Sequence, residues 1–381
     1  MEKTKLPADK DPFEAYRKVG DPSERERVCA WYTAIGLQAV DGLEPSDYLI
    51  QIARKNIGGE ITLDDAQKLV DSYYKQPRKK EENRTEEADK VSARIAALLS
   101  EKGFTLSAAQ YLSIHKRLFE GLYSHAGKIR DYNITKEEWV LDRDTVTYGN
   151  WAELRETLAY DIRTEKEFSY EGLTMDEVIK HLAAFISRLW QIHVFGEGNT
   201  RTTAVFFIKY LQSLGFNVTN DIFAKNAWYF RNAMVRANYT NLQKGVYETT
   251  EYLELFLRNL LLGEDHPLKN RTLHVSGAVK QDIGDEKQDI EESKQDIDRK
   301  TVLSEKMQKA GISGKTVGNA IALYDAFGVN RFFGRTDVVA VLNLTPSPAS
   351  ALLKKLAGAG ILEPVSGMGK GKYRFVVQTN G

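Results

Sequence analysis

Nine consecutive residues, His193 to Arg201 (HVFGEGNTR), bring together an imidazole, a carboxylate, two glycines, an amide and a guanidinium. His193 is the only side chain of the nine that exchanges a proton near neutral pH. Arg201 offers a planar fork of donors suited to phosphate oxygens. Glu197 is the kind of ligand Mg²⁺ takes, one or two carboxylates beside phosphate oxygens. Gly196 and Gly198 let the backbone approach such oxygens because no Cβ intervenes. Each has a plainer use alone, since a histidine ending an amphipathic helix is commonly a cap and an isolated Gly-x-Gly a turn. Their concentration in one short loop points instead to a site that holds a nucleoside triphosphate and moves a proton.

Two helices must position that loop. Thr174 and Glu177 form an S/T-x-x-E capping box, and Val178, Leu182, Phe185, Ile186, Leu189 and Ile192 follow at helical spacing, delivering His193 to the helix C-terminus. Downstream, Ala204 to Ile208, Leu211 and Leu214 are apolar on nearly every side, the pattern of a buried helix, with Gly215 placed to end it. The glycines therefore sit in a turn opening onto a helix start, where unpaired N–H groups and the helix dipole favour anions.

The stretch resembles the signature of the Fic (Fido) family, H-x-F-x-(D/E)-G-N-G-R-x-x-R, whose members transfer AMP from ATP to a hydroxyl of a target protein. His115 to Arg130 (HKRLFEGLYSHAGKIR) resembles the family's L-F-x-x-x-Y-x-x-A-G-x-x-R segment, Val140 to Tyr148 its flap hairpin, and Trp228 to Tyr239 (WYFRNAMVRANY) the helix lining its adenine pocket. The resemblance implies that His193 takes the proton from the attacking hydroxyl and that Glu197 holds the Mg²⁺ bridging α- and β-phosphates. It makes Gly196, Gly198, Asn199 and Arg201, with Thr200 among them, the nucleotide-binding anion hole, and Phe195 the anchor of the loop. It assigns Tyr229 and Asn238 to base contacts, although both residues also suit packing or capping. The flap would bind the target's segment by β-augmentation.

Three positions depart from the family pattern. Val194 replaces a proline, Thr200 replaces a glycine, and Ala204 stands where a second arginine grips the γ-phosphate. With fewer charges on the triphosphate, slower turnover or a different nucleotide or leaving group is expected. Residues 27–76 resemble the small helical antitoxin that silences some Fic proteins through S/T-x-x-x-E-G, whose glutamate pairs with that second arginine. Here Leu37, Asp41 and Gly42 occupy the motif, with the hydroxyl gone and the carboxylate one methylene shorter. Both ends of the ion pair are altered, so the expectation is a severed lock: a scaffold whose inhibition through this pair is weak or absent. A plain helical packing region is the alternative.

The chain has 381 residues, enough for two or three cores, and its 53 basic and 53 acidic residues leave no net charge to name a partner. Cys29 is the only cysteine, which excludes an intramolecular disulfide and fits a reducing cytoplasm. The first twenty residues lack an apolar core, and no apolar run approaches the roughly 18 residues a membrane span needs, so neither a secretory signal nor a membrane partner is expected. Residues 77–87 (PRKKEENRTEE) read as a solvated linker or exposed helix. KQDI recurs from Lys280, Lys287 and Lys294, but one isoleucine per heptad is too narrow a stripe for a coiled coil.

Beyond this lies a second unit. A helix over Thr336–Leu342, a turn at Asn343-Leu344, an N-cap at Thr345 with Pro346 behind it, and a glycine-rich basic turn between two short apolar runs resemble a winged helix-turn-helix. Residues 331–381 carry seven basic and two acidic side chains, a local positive surface suited to DNA backbone. Lys370 and Lys372 on the wing are candidate phosphate ligands, and Ser347 and Ser350 face out at the recognition-helix start. Protein binding is the other use of such a fold.

The fold expected is mainly α: an antitoxin-like region over 1–78, a linker over 79–94, a Fic core with a small β-hairpin flap over 95–265, a linker over 266–300 and a winged-helix domain over 301–381. The function expected is protein adenylyltransferase, moving AMP from ATP with Mg²⁺ to a Ser, Thr or Tyr hydroxyl of a protein, itself included. The alternative is a nucleotide-sensing DNA-binding regulator whose Fic fold turns over weakly or not at all. A cytoplasmic location is expected, and assembly into homo-oligomers is left open.

Overall fold

A computed structural model describes residues 22–75, 83–218, 221–276, 303, 306–307, 309–312, 315–329, 331–365 and 371–376. Among the described residues eleven helices build the larger core: α1 Pro22–Gly36, α2 Asp47–Ile57, α3 Leu63–Tyr74, α4 Asn83–Ser100, α5 Ala108–Phe119, α6 Leu154–Glu167, α7 Met175–Ile192, α8 Asn199–Ser213, α9 Ile222–Lys225, α10 Ala227–Arg236 and α11 Glu251–Leu262. One continuous apolar cluster runs from Val28 to Leu273, so the first three helices share a core with the rest. Polar stitches fix that docking. Trp31 Nε1 donates to Asn56 Oδ1 at 2.9 Å, and Asp89 of α4, fully buried, accepts from the N-cap Ser46 of α2 and from Tyr74 of α3. Burial pushes the Asp89 carboxyl upward against the pull of those donors.

Helix α8 lies at the centre, with every residue from Asn199 to Leu211 buried. Its one lysine survives there because Lys209 Nζ donates to Leu98 O at 2.8 Å and Glu101 O at 2.7 Å, carbonyls at the C-terminal end of α4. Helix α7 begins at the expected capping box: Thr174 Oγ1 accepts from Glu177 N, and Glu177 Oε2 accepts from Thr174 N at 2.8 Å.

The second unit has its own core, from Leu303 through Phe333, Leu353 and Ile361 to Phe375. Helices α12 Lys315–Phe327, α13 Arg335–Leu342 and α14 Pro346–Gly358 pack on an antiparallel sheet of β1 Phe333–Gly334, β2 Leu362–Pro364 and β3 Lys372–Phe375, in the order β1-β3-β2. Phe333 pairs with Tyr373 and Leu362 with Phe375. Asn343 takes a left-handed conformation, φ 49°, to end α13, and Pro346 opens α14 behind Thr345. α12 approaches the larger core at Gly318, whose missing side chain leaves room for Tyr132: a Cβ there would lie 2.8 Å from Tyr132 Cβ.

Several expectations change. Residues 83–94 are no linker but the first part of α4, and their charges turn inward: Asp89 joins the stitches above and Glu87 reaches the functional loop. A mixed charge run cannot reveal whether its partners are water or distant side chains. Residues 266–276 pack on the core, with Leu273 buried and Val275 N donating to Val140 O at 2.9 Å. Among the described residues the flap has no β-ladder; it is a 3₁₀ turn at Trp139–Leu141 with Asp142 and Arg143 at positive φ, followed by non-repetitive chain. The KQDI heptads and Lys370 lie outside the described residues.

Candidate functional site

Backbone comes first in building this site. α7 stops at His193 in the left-handed region, φ 51° and ψ 58°, a conformation uncommon for a residue with a Cβ. Arg130 holds it there. Its Nε donates to His193 O at 2.7 Å, its Nη2 to Gly149 O at 2.5 Å and more weakly to Ile192 O, its Nη1 to Tyr132 O, and its own N–H to Val194 O. Asn199 then staples the turn, accepting from Phe195 N at 2.9 Å and donating to Phe195 O at 2.8 Å. The Phe195 ring is fully buried and stacks on His115 at 3.6 Å. His115 Nδ1 accepts from Gly127 N, which puts the ring proton on Nε2, and Nε2 donates to Glu197 O at 3.0 Å. Burial lowers the pKa of His115 to about 3, keeping it neutral.

Both glycines are required. Gly198 has φ 75°, and a Cβ there would lie 2.4 Å from the Phe119 ring. At Gly196 a Cβ would lie 2.6 Å from the Tyr132 hydroxyl. The loop thus hands directly into α8, whose first N–H groups open toward it.

The reactive side chains fall into three environments. His193 is 3% exposed, and neither ring nitrogen has a hydrogen-bond partner among the described residues. Burial, helped by the cations Lys136, Arg130 and Arg231, holds its pKa well below the ordinary histidine range. Glu197 is half exposed at the loop's mouth, with Lys136 Nζ 3.5 Å from its carboxylate. Arg201 is buried and committed: its Nε lies 2.7 Å from Asp41 Oδ2, and its Nη groups donate to Glu87 Oε1 at 2.6 Å, Gln38 Oε1 at 3.0 Å and Tyr123 Oη at 3.3 Å. The Phe119 ring lies under the guanidinium at 4.8 Å. Desolvation works against its charge, but the two carboxylates outweigh it and hold the pKa above the ordinary arginine value.

The pair with position 204 is absent, since Ala204 is fully buried in α8, yet the altered motif still delivers a carboxylate to an arginine, Arg201, a partner the sequence did not suggest. Leu37 is buried, and Gly42 supplies the left-handed turn, φ 62°, that follows the 3₁₀ segment Leu37–Asp41. Arg201 therefore does not point a free guanidinium into an anion hole; its charge is paired with Asp41 and Glu87 and its Nη groups are hydrogen-bonded.

The other candidates divide. Thr200 Oγ1 accepts from Trp190 Nε1 at 3.0 Å, tying the start of α8 to the end of α7. Asn238 spends its amide on Ser187 O and Met234 O, so it joins helices rather than facing a ligand. Tyr229 is buried with its hydroxyl unpartnered among the described residues. Arg130, Gln38, Glu87, Tyr148 and Arg231 were given no role from the sequence. Arg130 and Tyr148 carried a signal as the ends of the segments His115 to Arg130 and Val140 to Tyr148, and Gln38 lies within the motif from Leu37 to Gly42; Glu87 and Arg231 come from distant stretches that no local spacing connects.

Ser347 and Ser350 are exposed at the start of α14 as expected. Lys372 is not a free wing cation, since its Nζ lies 2.9 Å from Asp337 Oδ2.

The described residues form a mainly helical core that carries an imidazole, a carboxylate and a glycine turn at the start of a buried helix. Residues 105–211 match the model of the Fic/DOC family, a match that supports the Fic family for this part of the chain. Such a domain generally implies AMPylation or a related transferase activity. No curated protein shows significant similarity to the chain. No described helix is long and apolar enough to cross a membrane.

Proposed function

We propose that this protein is an adenylyltransferase that moves AMP from ATP to a Ser, Thr or Tyr hydroxyl of a protein. The observation that carries the reading is His193: a buried neutral imidazole with both nitrogens unspent among the described residues, followed within four residues by a half-exposed carboxylate and a glycine turn that opens onto a helix start. The target oxygen attacks the α-phosphorus and gives its proton to His193. The bond from that phosphorus to the β-phosphate oxygen breaks, and pyrophosphate leaves. Transfer of this kind needs positioning and charge neutralisation more than covalent help.

Glu197 suits Mg²⁺, being a half-exposed carboxylate whose cation neighbour, Lys136, stands at 3.5 Å rather than in a tight pair. When bound, the ion would neutralise charge between the phosphates. Arg201 contributes only if phosphate oxygens replace Asp41, so the N-terminal region is a brake on nucleotide binding. Glu87 would remain as the arginine's partner throughout.

Transfer of label from α-³²P-ATP with Mg²⁺ to protein, lost in His193→Ala, is the expected result; binding of ATP with no transfer by the unaltered chain would refute it. That outcome would favour a nucleotide-sensing regulator, a reading supported by the sequestration of Arg201. In either case we assign the C-terminal unit as a winged helix that meets DNA through Ser347, Ser350 and the exposed Lys354 and Lys355 of α14.

A further inference from the structure

His193 lacks the partner a catalytic base ordinarily has. A base is oriented by a third group, usually a carboxylate or carbonyl on its second nitrogen. Both nitrogens are buried, and among the described residues neither has a hydrogen-bond partner to fix the ring. What touches it is aromatic. Trp190 meets it edge-on at 5.3 Å, one helical turn back on α7, and Tyr148 lies across it at 4.2 Å with the planes at 44°.

The two rings differ in what holds them. Trp190 is part of the helix that ends at His193. Tyr148 comes from the flap, 45 residues earlier in sequence, and is held by its hydroxyl, which donates to Glu138 Oε1 at 2.9 Å. Glu138 is itself 1% exposed and gripped by Arg231 of α10 through both Nη atoms, at 2.6 and 3.0 Å. The Arg231 guanidinium stacks over Trp228 at 5.0 Å. Such a buried, two-pronged pair is rigid and costly to break from one side. The chain of contacts is therefore Arg231 to Glu138 to the Tyr148 hydroxyl, and from the Tyr148 ring to the imidazole.

Resting on the transferase reading, we infer that Tyr148 is a positioning residue for His193 and that the Glu138–Arg231 pair sets its ring against the imidazole. The arrangement orients the base without occupying either nitrogen, leaving one free for the incoming proton. It also makes the flap part of the device that aims the base.

The test uses the full-length chain with ¹⁵N-labelled histidine; the His193 ring signals are identified by their absence in His193→Ala, and single-turnover transfer is measured in parallel. Tyr148→Leu removes the ring contact and is expected to lower the rate of transfer by about tenfold or more, as misplacement of a reacting group does, while the nucleotide KM changes by less than about twofold. The imidazole titration should move up toward the ordinary histidine range as water gains access. Tyr148→Phe keeps the ring but cuts its tie to Glu138, and should lose part of the rate and move the titration part of the way, less than Tyr148→Leu. Unchanged titration and rate in Tyr148→Leu would overturn the inference, as would equal losses in the Leu and Phe variants. If Tyr148→Leu does not fold, Glu138→Gln beside Tyr148→Phe carries the comparison: a titration unmoved in both overturns it. Should the unaltered chain transfer nothing, the titration alone decides the positioning role, and only the transferase reading falls.

Discussion

The loop at His193 and the surface of α14 are both expected to meet phosphate, yet they are built in opposite ways. Around the loop almost nothing is free: Arg130 binds four carbonyls, Asn199 staples Phe195, His115 holds Glu197 O, and Arg201 is surrounded by Asp41, Glu87, Gln38 and Tyr123. On α14, Ser347, Ser350, Lys354 and Lys355 stand exposed over a small apolar core. A site that stabilises charge developing during a reaction must be preorganised, because reorganisation then adds to the barrier. A surface that tracks a polyanion works through long, hydrated side chains and counterion release, and gains little from rigidity.

Substitutions should separate the two regions by the size of their effects. The largest belongs to Gly198→Ala, which combines an unfavourable positive φ with a Cβ 2.4 Å from the Phe119 ring. A loss of about 3 kcal/mol in denaturant unfolding is expected; a loss under about 1 kcal/mol would show that the loop yields more easily than its contacts suggest. Arg201→Met comes next. It leaves Asp41 and Glu87 without their cation and should cost about 2 kcal/mol by the same measurement, a figure reduced because both carboxylates reach some solvent. The milder Asp41→Asn is expected to tighten nucleotide binding several-fold by calorimetry; unchanged affinity would remove the N-terminal region as a brake.

Acid should act on the same region. His193 is held neutral mainly by burial, and His115 likewise, with a pKa lowered to about 3. Their unfolded forms take up protons near pH 6.5. Between that pH and about 3 the unfolded chain binds more protons than the folded one, so this contribution to stability is present above about pH 6.5 and is lost as pH falls. Unfolding midpoints followed from pH 7.5 to 5 should decline, and His115→Gln should flatten the decline. The smallest effect is assigned to Lys372→Ala. Its half-exposed pair with Asp337 contributes at most about 0.5 kcal/mol, and DNA affinity should fall less than in Lys354→Ala by anisotropy.

How much of this the sequence disclosed follows from the range of each interaction. The capping box at Thr174, the buried character of α8, the turn at Gly196 and Gly198, and the helix behind Thr345 and Pro346 are local patterns and could be read directly. The partners of Arg201 could not, since Gln38, Asp41 and Glu87 lie more than a hundred residues upstream. Glu87 was hidden further by sitting in a run that looked solvated. The flap differed for a related reason: a hairpin over Val140 to Tyr148 was expected from the resemblance alone, whereas Glu138 and Asp144 are tied to Arg231, Tyr239 and Asn241, distant partners that no local pattern shows.

Arg130 sits 63 residues before the histidine it braces and, among the described residues, forms no ion pair; its guanidinium charge is spread over peptide oxygens from three separate stretches of backbone. A lysine in its place would keep the charge but satisfy only part of that fan. The curvature that aims the imidazole is thus stored outside the nine-residue stretch, and drift at one upstream position could silence the protein while every motif letter stayed intact.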